Sequence, residues 1–404
     1  MTGSSDAIVK LVPSIHDVDA AAWDACANPD GASFNPFVAH AFLNALEQAK
    51  TVGPGTGWLP RHVILDDGRG GIAAAAPCYV KNHSQGEYVF DYGWAEAYEL
   101  AGGRYYPKLQ LSVPFTPVPG PRLLVKGGAQ AAANEQVLAA AAVEVARQNG
   151  LSSVHLTFLA KAVAERLKAM GFLLRTGQQF HWSNSGYRDF GDFLQTFASR
   201  KRKGVRKERG EALSAGLEIE RVQGADIKEM HWDALYKFYI DTGNRKWGRP
   251  YLNRQFFSLL GESLASRCLL IFAKRGSTYV AGTLHMIGGD CLYGRYWGAI
   301  EHHPSLHFEL CYYQAIDYAI AHALPRVEAG AQGEHKLARG YLPVETYSAH
   351  WIADPGLRKA VERFVKQERA YVTESNAELA EAGPYRSNAM PEPIDHSMCE
   401  PDDG

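Results

Sequence analysis

The feature that most constrains the fold is an order of predicted elements that occurs twice in the chain. In the first half these elements are a hairpin over 71–81 and 87–94, a helix over 129–148 and a strand over 152–158. In the second half they are a hairpin over 278–287 and 291–298, a helix over 305–323 and a strand over 326–331. Strands and long helices in this order are typical of α/β (α+β) domains with mixed central sheets. We therefore predict two similar domains, 1–190 and 191–381, and an unstructured tail over 382–404.

Length and charge agree with two domains and exclude several classes of protein. A chain of 404 residues is longer than one hydrophobic core usually organises. The net charge of −2 gives no general attraction to nucleic acids or membranes, so any such attraction has to come from a local patch. The first residues show no signal peptide, and the most apolar long segment, 128–147, contains charged residues that do not suit a membrane span. We therefore expect a cytoplasmic protein without a membrane span.

Cysteine and histidine usage gives no sign of a metal site. The six cysteines are scattered, without a CxxC pair, which is typical of reduced thiols in a chain of this length. His302, His303 and His307 lie close together in sequence, but adjacent histidine side chains diverge and no HExxH spacing accompanies them. We therefore expect no bound metal.

A strongly basic helix, 199–213, opens the second half. Seven of the ten residues from 200 to 209 are Lys or Arg, and Glu208 is the acidic residue among them. Like charges four positions apart repel each other in a helix, which favours an anion bound on this surface. The phosphates of coenzyme A or of an RNA backbone suit such a surface, and a solvated charged face without a ligand is the alternative. The candidate phosphate-binding residues are Arg200, Arg202, Lys203, Arg206 and Lys207.

The second candidate segment, 330–341, follows a predicted strand of the second half. Ligands of open α/β sheets bind at the carboxyl ends of strands, where this segment lies. Glu334 or His335 could take a proton from a substrate, and histidine has the ordinary pKa better suited to neutral pH. Lys336 and Arg339 could bind a carboxylate or a phosphate. The alternative is a polar loop that closes the sheet with internal ion pairs.

Three further clusters combine cations with aromatic side chains, a composition that suits a polar acceptor, a sugar or a base. They are Arg245 with Trp247, Arg295 with Tyr296 and Trp297, and Tyr106 with Lys108 in the Pro-rich segment 105–121. The Pro-rich segment could form a stiff wall of a cleft between the two halves. Ordinary packing within the fold is the alternative for each cluster.

Several strings of the second half resemble the C-terminal domain of Fem-type transferases. They are SRKRKGVRKERGEALSAGLEIE, TGNRKWGRPYLNRQFFSLL, VAGTLHMIGGDCLYGRYWGA and LHFELCYYQAIDYAI. Two longer strings, YYPKLQLSVPFTPVPGPRLL and EAGAQGEHKLARGYLPVETYSAHW, resemble the Fem-like predicted N-acyltransferases of the peptidoglycan biosynthesis/recognition group. The likeness covers about residues 10–380, and it implies two tandem GNAT-like acyltransferase domains.

The resemblance also implies a type of reaction. Fem-type enzymes move aminoacyl groups from tRNA onto peptidoglycan precursors, and GNAT enzymes hold an activated acyl carrier where two central strands part. The protein then aligns the reactants, removes a proton and stabilises the oxyanion, without a Ser or Cys nucleophile. The sequence has no GxSxG motif, which agrees with a mechanism of this kind.

These observations predict an N-acyltransferase that moves an acyl or aminoacyl group from an activated carrier to a small or peptide-like amine. The carrier is acyl-CoA or another acyl carrier, or aminoacyl-tRNA. The thioester is slightly favoured, because a tRNA calls for a second basic stripe that the sequence does not show. A Fem-type transferase of peptidoglycan precursors that uses aminoacyl-tRNA is one alternative. A non-catalytic protein that recognises a cell-wall fragment is the other.

Overall fold

The structure is a computed structural model, and it describes residues 8–214, 216–246, 250–330, 333–386 and 389–391. The chain divides into two compact units. Within the described residues, the first unit comprises 8–177 and 345–373, and the second comprises 178–344 and 374–391. No helix in these described ranges is long and apolar enough to cross a lipid bilayer.

The first unit contains two sheets with helices packed on them. Its strands are β1 (Val9–Val12), β2 (Trp58–Pro60), β3 (His62–Asp66), β4 (Ile72–Ala76), β5 (Cys78–Lys81), β6 (Lys108–Leu111), β7 (Leu124–Val125), β8 (Ser153–Leu159) and the start of β9 (Leu173–Ser183). Its helices are α1 (Ala20–Ala27), α2 (His40–Gln48), α3 (Tyr92–Leu100), α4 (Ala131–Gln148) and α5 (Lys161–Ala169). One sheet has the strand order β1-β3-β4-β7, and the other contains the order β8-β6-β5-β2.

The second unit follows in sequence from the middle of β9. Its helices are α6 (Phe190–Gln195), α7 (Ser199–Leu213), α8 (Glu229–Lys246), α9 (Arg254–Leu264), α10 (Leu306–Phe308) and α11 (Gln314–Ala321). A π-helical turn, Glu309–Tyr313, joins α10 to α11, and a 3₁₀ turn covers Glu334–Arg339. Its strands are β10 (Glu218–Gln223), β11 (Cys268–Arg275), β12 (Thr278–Ile287), β13 (Cys291–Ala299) and β14 (Arg326–Glu328). They form a sheet in the order β10-β11-β12-β13-β14-β9, in which only the β13–β14 pair is parallel.

The chain returns to the first unit through β15 (Leu342–Ile352) and then forms the long helix α12 (Pro355–Glu381). β15 pairs with β8 over Tyr347–Ile352, which places residues 345–373 in the first unit. This division differs from the predicted boundary between 190 and 191. Strand pairing between distant segments decides it, and such pairing leaves no mark in local sequence.

The structure confirms the predicted fold class, mixed sheets flanked by helices. The hairpin of the second half is confirmed as β12 and β13. The predicted hairpin of the first half is wrong, because β5 pairs with β6 and residues 92–100 form helix α3. Pro77 separates β4 from β5, which belong to different sheets. Since proline has no N–H group to continue a ladder, the run 71–81 is divided there.

The described chain also packs beyond residue 381, where an unstructured tail was predicted. Tyr385 is buried, and its hydroxyl donates to the Gly340 carbonyl at 2.6 Å. The N–H of Ala198 donates to the Pro384 carbonyl at 2.9 Å. Residues 384–386 therefore belong to the second unit, while 392–404 lie outside the described residues.

Both units have apolar cores made by the sheet and a long helix. In the first unit, α4 buries residues that recur every three or four positions, which are Leu138, Ala139, Ala142, Val143 and Ala146. In the second unit, the continuous helix formed by α10, the π-helical turn and α11 buries residues at the same spacing, which are Leu306, Leu310, Tyr313, Ile316 and Ile320. This spacing is that of one helix face turned to a core.

Candidate active site

Two parallel strands of the second unit part at a defined point. β13 and β14 pair over three residues, up to Tyr293 opposite Glu328, where β14 ends. β13 continues to Ala299 with β12 as its partner. The register of β12 against β13 shifts in this region, which leaves Arg295 as the extra residue of a β-bulge. Because a bulge bends its strand, the opening beside β13 follows from the backbone itself.

A cleft of about 340 Å³ lies at the end of β13 and the start of α10. Its lining consists of Thr242, Trp297, Ala299 and residues 301–308. The first N–H groups of a helix have no partners within the helix, and the helix dipole is positive at that end. The cleft therefore combines an aromatic wall with a helix start that suits an anion.

His335, on the 3₁₀ turn Glu334–Arg339, lies against two residues that line this cleft. Its Nε2 atom lies 2.8 Å from the hydroxyl of Tyr312. The imidazole centroid lies 6.0 Å from that of His307 and 5.9 Å from that of Phe308, and both of these residues line the cleft. His335 and its neighbour Glu334 are exposed. Of the two predicted bases, His335 is therefore the one with contacts to the cleft wall.

Lys336 and Arg339 of the same turn are buried rather than presented to a ligand. The Lys336 ammonium donates to the Gly330 carbonyl at 2.8 Å, and burial lowers the pKa of this lysine to about 7. Arg339 binds Glu208 at 2.8 Å, and its guanidinium lies 3.3 Å from the ring centroid of Phe308. The prediction that these two cations bind a substrate anion does not suit their placement, because both already have partners inside the fold.

The cations that begin α7 face solvent. Arg200, Lys203, Arg206 and Lys207 are exposed. Arg202 is half-buried and donates to Gln195 Oε1 at 3.2 Å. The predicted phosphate-binding residues are thus available on one stretch of the helix, apart from the partial engagement of Arg202.

The later part of α7 binds the neighbouring helix. Arg209 donates to Glu309 at 2.9 Å and to Asp317 at 2.7 Å. Glu211 accepts a hydrogen bond of 2.8 Å from the hydroxyl of Ser305, a residue that lines the cleft. The carboxyl end of α7 therefore lies at the rim of the cleft.

Helical spacing shows which cations share the flank of Glu211. Lys207 precedes Glu211 by one turn, about 6 Å along the axis, and lies on the same flank. Arg200, seven residues before Lys207, lies there too. Arg206 is rotated by about 140° from Glu211, since each residue turns the helix by about 100°. Lys207 and Arg200 are consequently on the side of the cleft, and Arg206 is not.

In the first unit, the chain itself occupies the place that corresponds to the cleft. β6 and β8 are parallel and pair over three residues, from Leu109 opposite Val154 to Leu111 opposite Leu156. The next segment, 112–119, is buried, and the N–H of Gly120 donates to the carbonyl of Phe158 at 2.9 Å. The described residues thus place the open cleft in the second unit.

The predicted wall residues Tyr106 and Lys108 belong to a buried polar cluster of the first unit. The Lys108 ammonium is buried and lies 2.5 Å from Asp91, 2.7 Å from Glu87 and 2.8 Å from Ser84. Burial would raise the pKa of Asp91, but the charge of Lys108 outweighs it and holds this pKa well below its ordinary value. Tyr106 is half-buried with its hydroxyl 2.8 Å from Ser84. Lys108 already has its partners inside the first unit, and the Tyr106 hydroxyl is engaged by Ser84, so neither side chain is placed as the predicted wall of a substrate cleft.

The cluster of Arg295, Tyr296 and Trp297 is divided, because Trp297 and Tyr296 have different surroundings. Trp297 lines the cleft, with its ring centroid 5.2 Å from that of His307. Tyr296 packs instead against Tyr239, at 5.2 Å, since neighbouring strand residues point to opposite faces. Arg295 lies over the ring of Tyr296 at 5.2 Å. Trp247 and the side chain of Arg245 lie outside the described residues.

Sequence reasoning missed several residues around the cleft. Phe308 and Tyr312 are four positions apart on one helix, and this spacing was a usable sign of a shared face. His307 is noticeable in sequence only as part of a histidine cluster. Among the residues that the structure describes, no group of three or more His, Cys, Asp or Glu side chains is placed to hold a metal ion. Glu208 was visible as a single acid in a basic run.

The mixed sheet, its parting parallel strands and the cleft at a helix start define a protein with the GNAT-type acyltransferase fold. The chain belongs to the FemAB-like family, described as peptidoglycan biosynthesis/recognition, whose family model matches residues 14–387. The predicted family resemblance is thereby confirmed. No curated protein matches the sequence significantly.

Solved structures share this fold at low sequence identity. The chain is similar to FemX, with a TM-score of 0.53 and 13% identity over 85% of this chain and 98% of FemX. It is also similar to L-PGS from Bacillus licheniformis, with a TM-score of 0.50 and 11% identity over 83% of this chain and 98% of L-PGS. These likenesses support the fold.

Proposed function

We propose that this protein is an N-acyltransferase that moves an acyl or aminoacyl group from an activated carrier to an amine, at the cleft of the second unit. The observation that carries the proposal is the parting of β13 from β14 beside the start of α10, with the exposed His335 in contact with His307 and Phe308 of the cleft lining. Membership of the FemAB-like family supports the same class of reaction.

The donor is held by backbone and by the basic helix. Beyond Tyr293, β13 no longer pairs with β14, and we assign the edge where the two strands part as the place that binds an extended carrier and its carbonyl oxygen. The helix start at Leu306 suits a phosphate of the carrier, and Lys207 and Arg200 lie on the flank of α7 that leads to it. These features fit a coenzyme tail and the end of an aminoacyl-tRNA equally.

His335 is the general base of this proposal. The acceptor amine attacks the carbonyl carbon, and the imidazole takes the amine proton as the new N–C bond forms. The bond between the carbonyl carbon and the carrier then breaks, and the carrier leaves with the electron pair. The imidazolium can return the proton to the departing thiolate or oxygen. Glu334 remains the alternative base, exposed beside His335.

Calorimetry with three donors tests the proposal. The purified protein is titrated with acetyl-CoA, a longer acyl-CoA and an aminoacyl-tRNA, and we expect saturable binding of one donor class at one site per chain. Ala299→Phe, which adds volume inside the cleft, should abolish this binding. Ala133→Phe on the exposed face of α4 is the matched control and should leave it unchanged. If none of the donors binds, the proposed enzymatic function is contradicted, and the alternative of a non-catalytic recognition protein is favoured.

A further inference from the structure

The basic helix and the turn that carries His335 are joined by one acidic residue. Glu208 lies on α7, and its carboxylate accepts hydrogen bonds from Arg339 Nη2 at 2.8 Å and from the hydroxyl of Tyr313. Arg339 in turn donates from Nη1 to the main-chain carbonyl of His335 at 2.5 Å. Two hydrogen bonds thus connect Glu208 of the cationic helix, through Arg339, to the backbone of the candidate base.

Water has little access to Arg339 and cannot readily take the place of Glu208 as its partner. Its side chain is 7% exposed, against 29% for Glu208. The guanidinium lies over the ring of Phe308, which also contacts the imidazole of His335. Removing one partner of a buried ion pair leaves the other charge uncompensated, which costs far more than the pair contributes. Loss of the Glu208 charge should therefore drive Arg339 out of this position and disturb the turn.

Two glycines at the ends of the turn allow the turn to move. Gly333 precedes it with φ +116° and Gly340 follows it with φ +90°, both in the left-handed region that favours glycine. The turn itself is a short 3₁₀ segment, whose hydrogen bonds are weaker than those of an α-helix. Its position therefore depends on side-chain contacts, of which the Arg339–Glu208 pair is buried and charged.

We propose that Glu208 is a positioning residue, which holds the turn Glu334–Arg339 against the cleft by way of Arg339 and so couples the place of His335 to the basic helix. This inference rests on the proposed function, because it takes α7 as the donor-binding helix and His335 as the base. The inference adds that the anion-binding helix α7 and the base His335 are mechanically connected, so that displacement of α7 displaces His335.

The test uses the full-length protein without a ligand. Histidines are labelled with ¹³C at Cε1, and the His335 signal is assigned by its loss in His335→Gln. Glu208→Gln should shift this signal, and it should make hydrogen exchange of residues 334–341 about tenfold faster, because the turn opens more often. Glu211→Gln, one turn away on the same helix, removes the charge of the carboxylate that accepts from the Ser305 hydroxyl, and it should leave both readouts unchanged.

A conservative variant separates positioning from general damage to the fold. Glu208→Asp keeps the charge and should return the His335 signal towards the wild-type position, even if Glu208→Gln proves unstable. An unchanged signal and unchanged exchange in Glu208→Gln would overturn the proposal, and so would equal changes in Glu211→Gln. Because no donor is present, a shifted signal together with failure of all donors to bind would refute the proposed function and leave the coupling intact.

Discussion

At the residue scale, Glu334 and His335 show how two adjacent candidates can differ. Both are exposed, but His335 is held by the Tyr312 hydroxyl and lies against Phe308 and His307 at the cleft. A general base has to lie within hydrogen-bond reach of the proton it removes, so a fixed side chain at the cleft is better suited than an exposed neighbour.

We expect His335→Gln to lower turnover by about 10²-fold, since a general base typically contributes at least that factor. Glu334→Gln should keep turnover near the wild-type value. Steady-state kinetics with the donor identified by calorimetry provide the measurement. The reverse order of effects would transfer the role of base to Glu334.

The exposed cations of α7 also differ from one another, in their position around the helix relative to the cleft. Lys207 lies on the flank that leads to the cleft through Glu211 and Ser305, and Arg206 lies about 140° away around the helix. Lys207→Glu should therefore weaken donor binding strongly, and Arg206→Glu should weaken it much less. Dissociation constants measured at two salt concentrations distinguish this local effect from long-range repulsion, because salt screens the latter. Equal weakening by both variants would show that the donor does not approach along this flank.

At the element scale, the two parts of α7 have different surroundings. Its first part presents exposed cations, and its second part is bound to the helix that begins at the cleft. Arg209 is the boundary between them, because it looks like its cationic neighbours in sequence yet pairs with Glu309, whose side chain is fully buried. The structure thus divides a uniform charge run into exposed cations and a cation that packs within the fold.

Arg209→Met should destabilise the protein by about 3 kcal/mol, because the carboxylate of Glu309 then stays buried without its main counter-charge. Lys203→Met, the same substitution at an exposed position of the same helix, should change the free energy of unfolding by no more than about 0.5 kcal/mol. Urea denaturation followed by circular dichroism gives both values. Similar losses in the two variants would contradict this division of α7.

At the scale of the whole molecule, both units bury charged side chains, and the second unit also has exposed cations beside its cleft. The first unit buries Lys81 and Glu87, whose charged groups lie 3.8 Å apart, and the Lys81 ammonium lies over the ring of Trp58. Burial lowers the pKa of Lys81 to about 7, against the attraction of Glu87, and burial raises the pKa of Glu87 to about 7. The second unit places its exposed cations beside an open cleft.

These pKa shifts predict how stability depends on pH. A lysine with a lowered folded-state pKa stabilises the fold fully above its unfolded pKa of 10.5, and this contribution is lost as pH falls towards 7. The contribution of Glu87 to stability changes between pH 4.5 and about 7, so Glu87 does not alter the pH dependence of stability in the alkaline range. The urea midpoint of the wild-type protein should therefore rise from pH 7.5 to pH 9.5 relative to that of Lys81→Met, since the other titrating groups, including Lys336, are present in both proteins. Lys359→Met, on the exposed side of α12, serves as the control and should retain it.

Much of the local structure could be predicted from sequence. The basic helix, the hairpin of β12 and β13, and the long helices of both halves follow from composition and periodicity within a few neighbouring residues. The family resemblance extended this to the fold, because its strings span both halves. The candidate segment with His335 was also found, since glycines and polar residues after a strand indicate a turn at the carboxyl end of a sheet.

The roles of individual charges could not be predicted, because they depend on partners far away in the chain. Arg339 meets Glu208 across 131 positions, and Lys108 meets Glu87 and Asp91 across 21 and 17. No spacing rule reports such pairs, so Lys108, Lys336 and Arg339 resemble ligand-binding residues in the sequence and prove to be buried.

The sequence by itself determined which segments form helices and strands in the second half, and that a cationic helix precedes a polar turn. The tertiary structure alone decided that the run 71–81 divides between two sheets, that residues 345–373 return to the first unit, and which unit keeps its cleft open. The physical reason is the range of the interactions. Helical periodicity and turn chemistry act between near neighbours, whereas strand pairing and burial of charge are settled by segments that meet only in the folded chain.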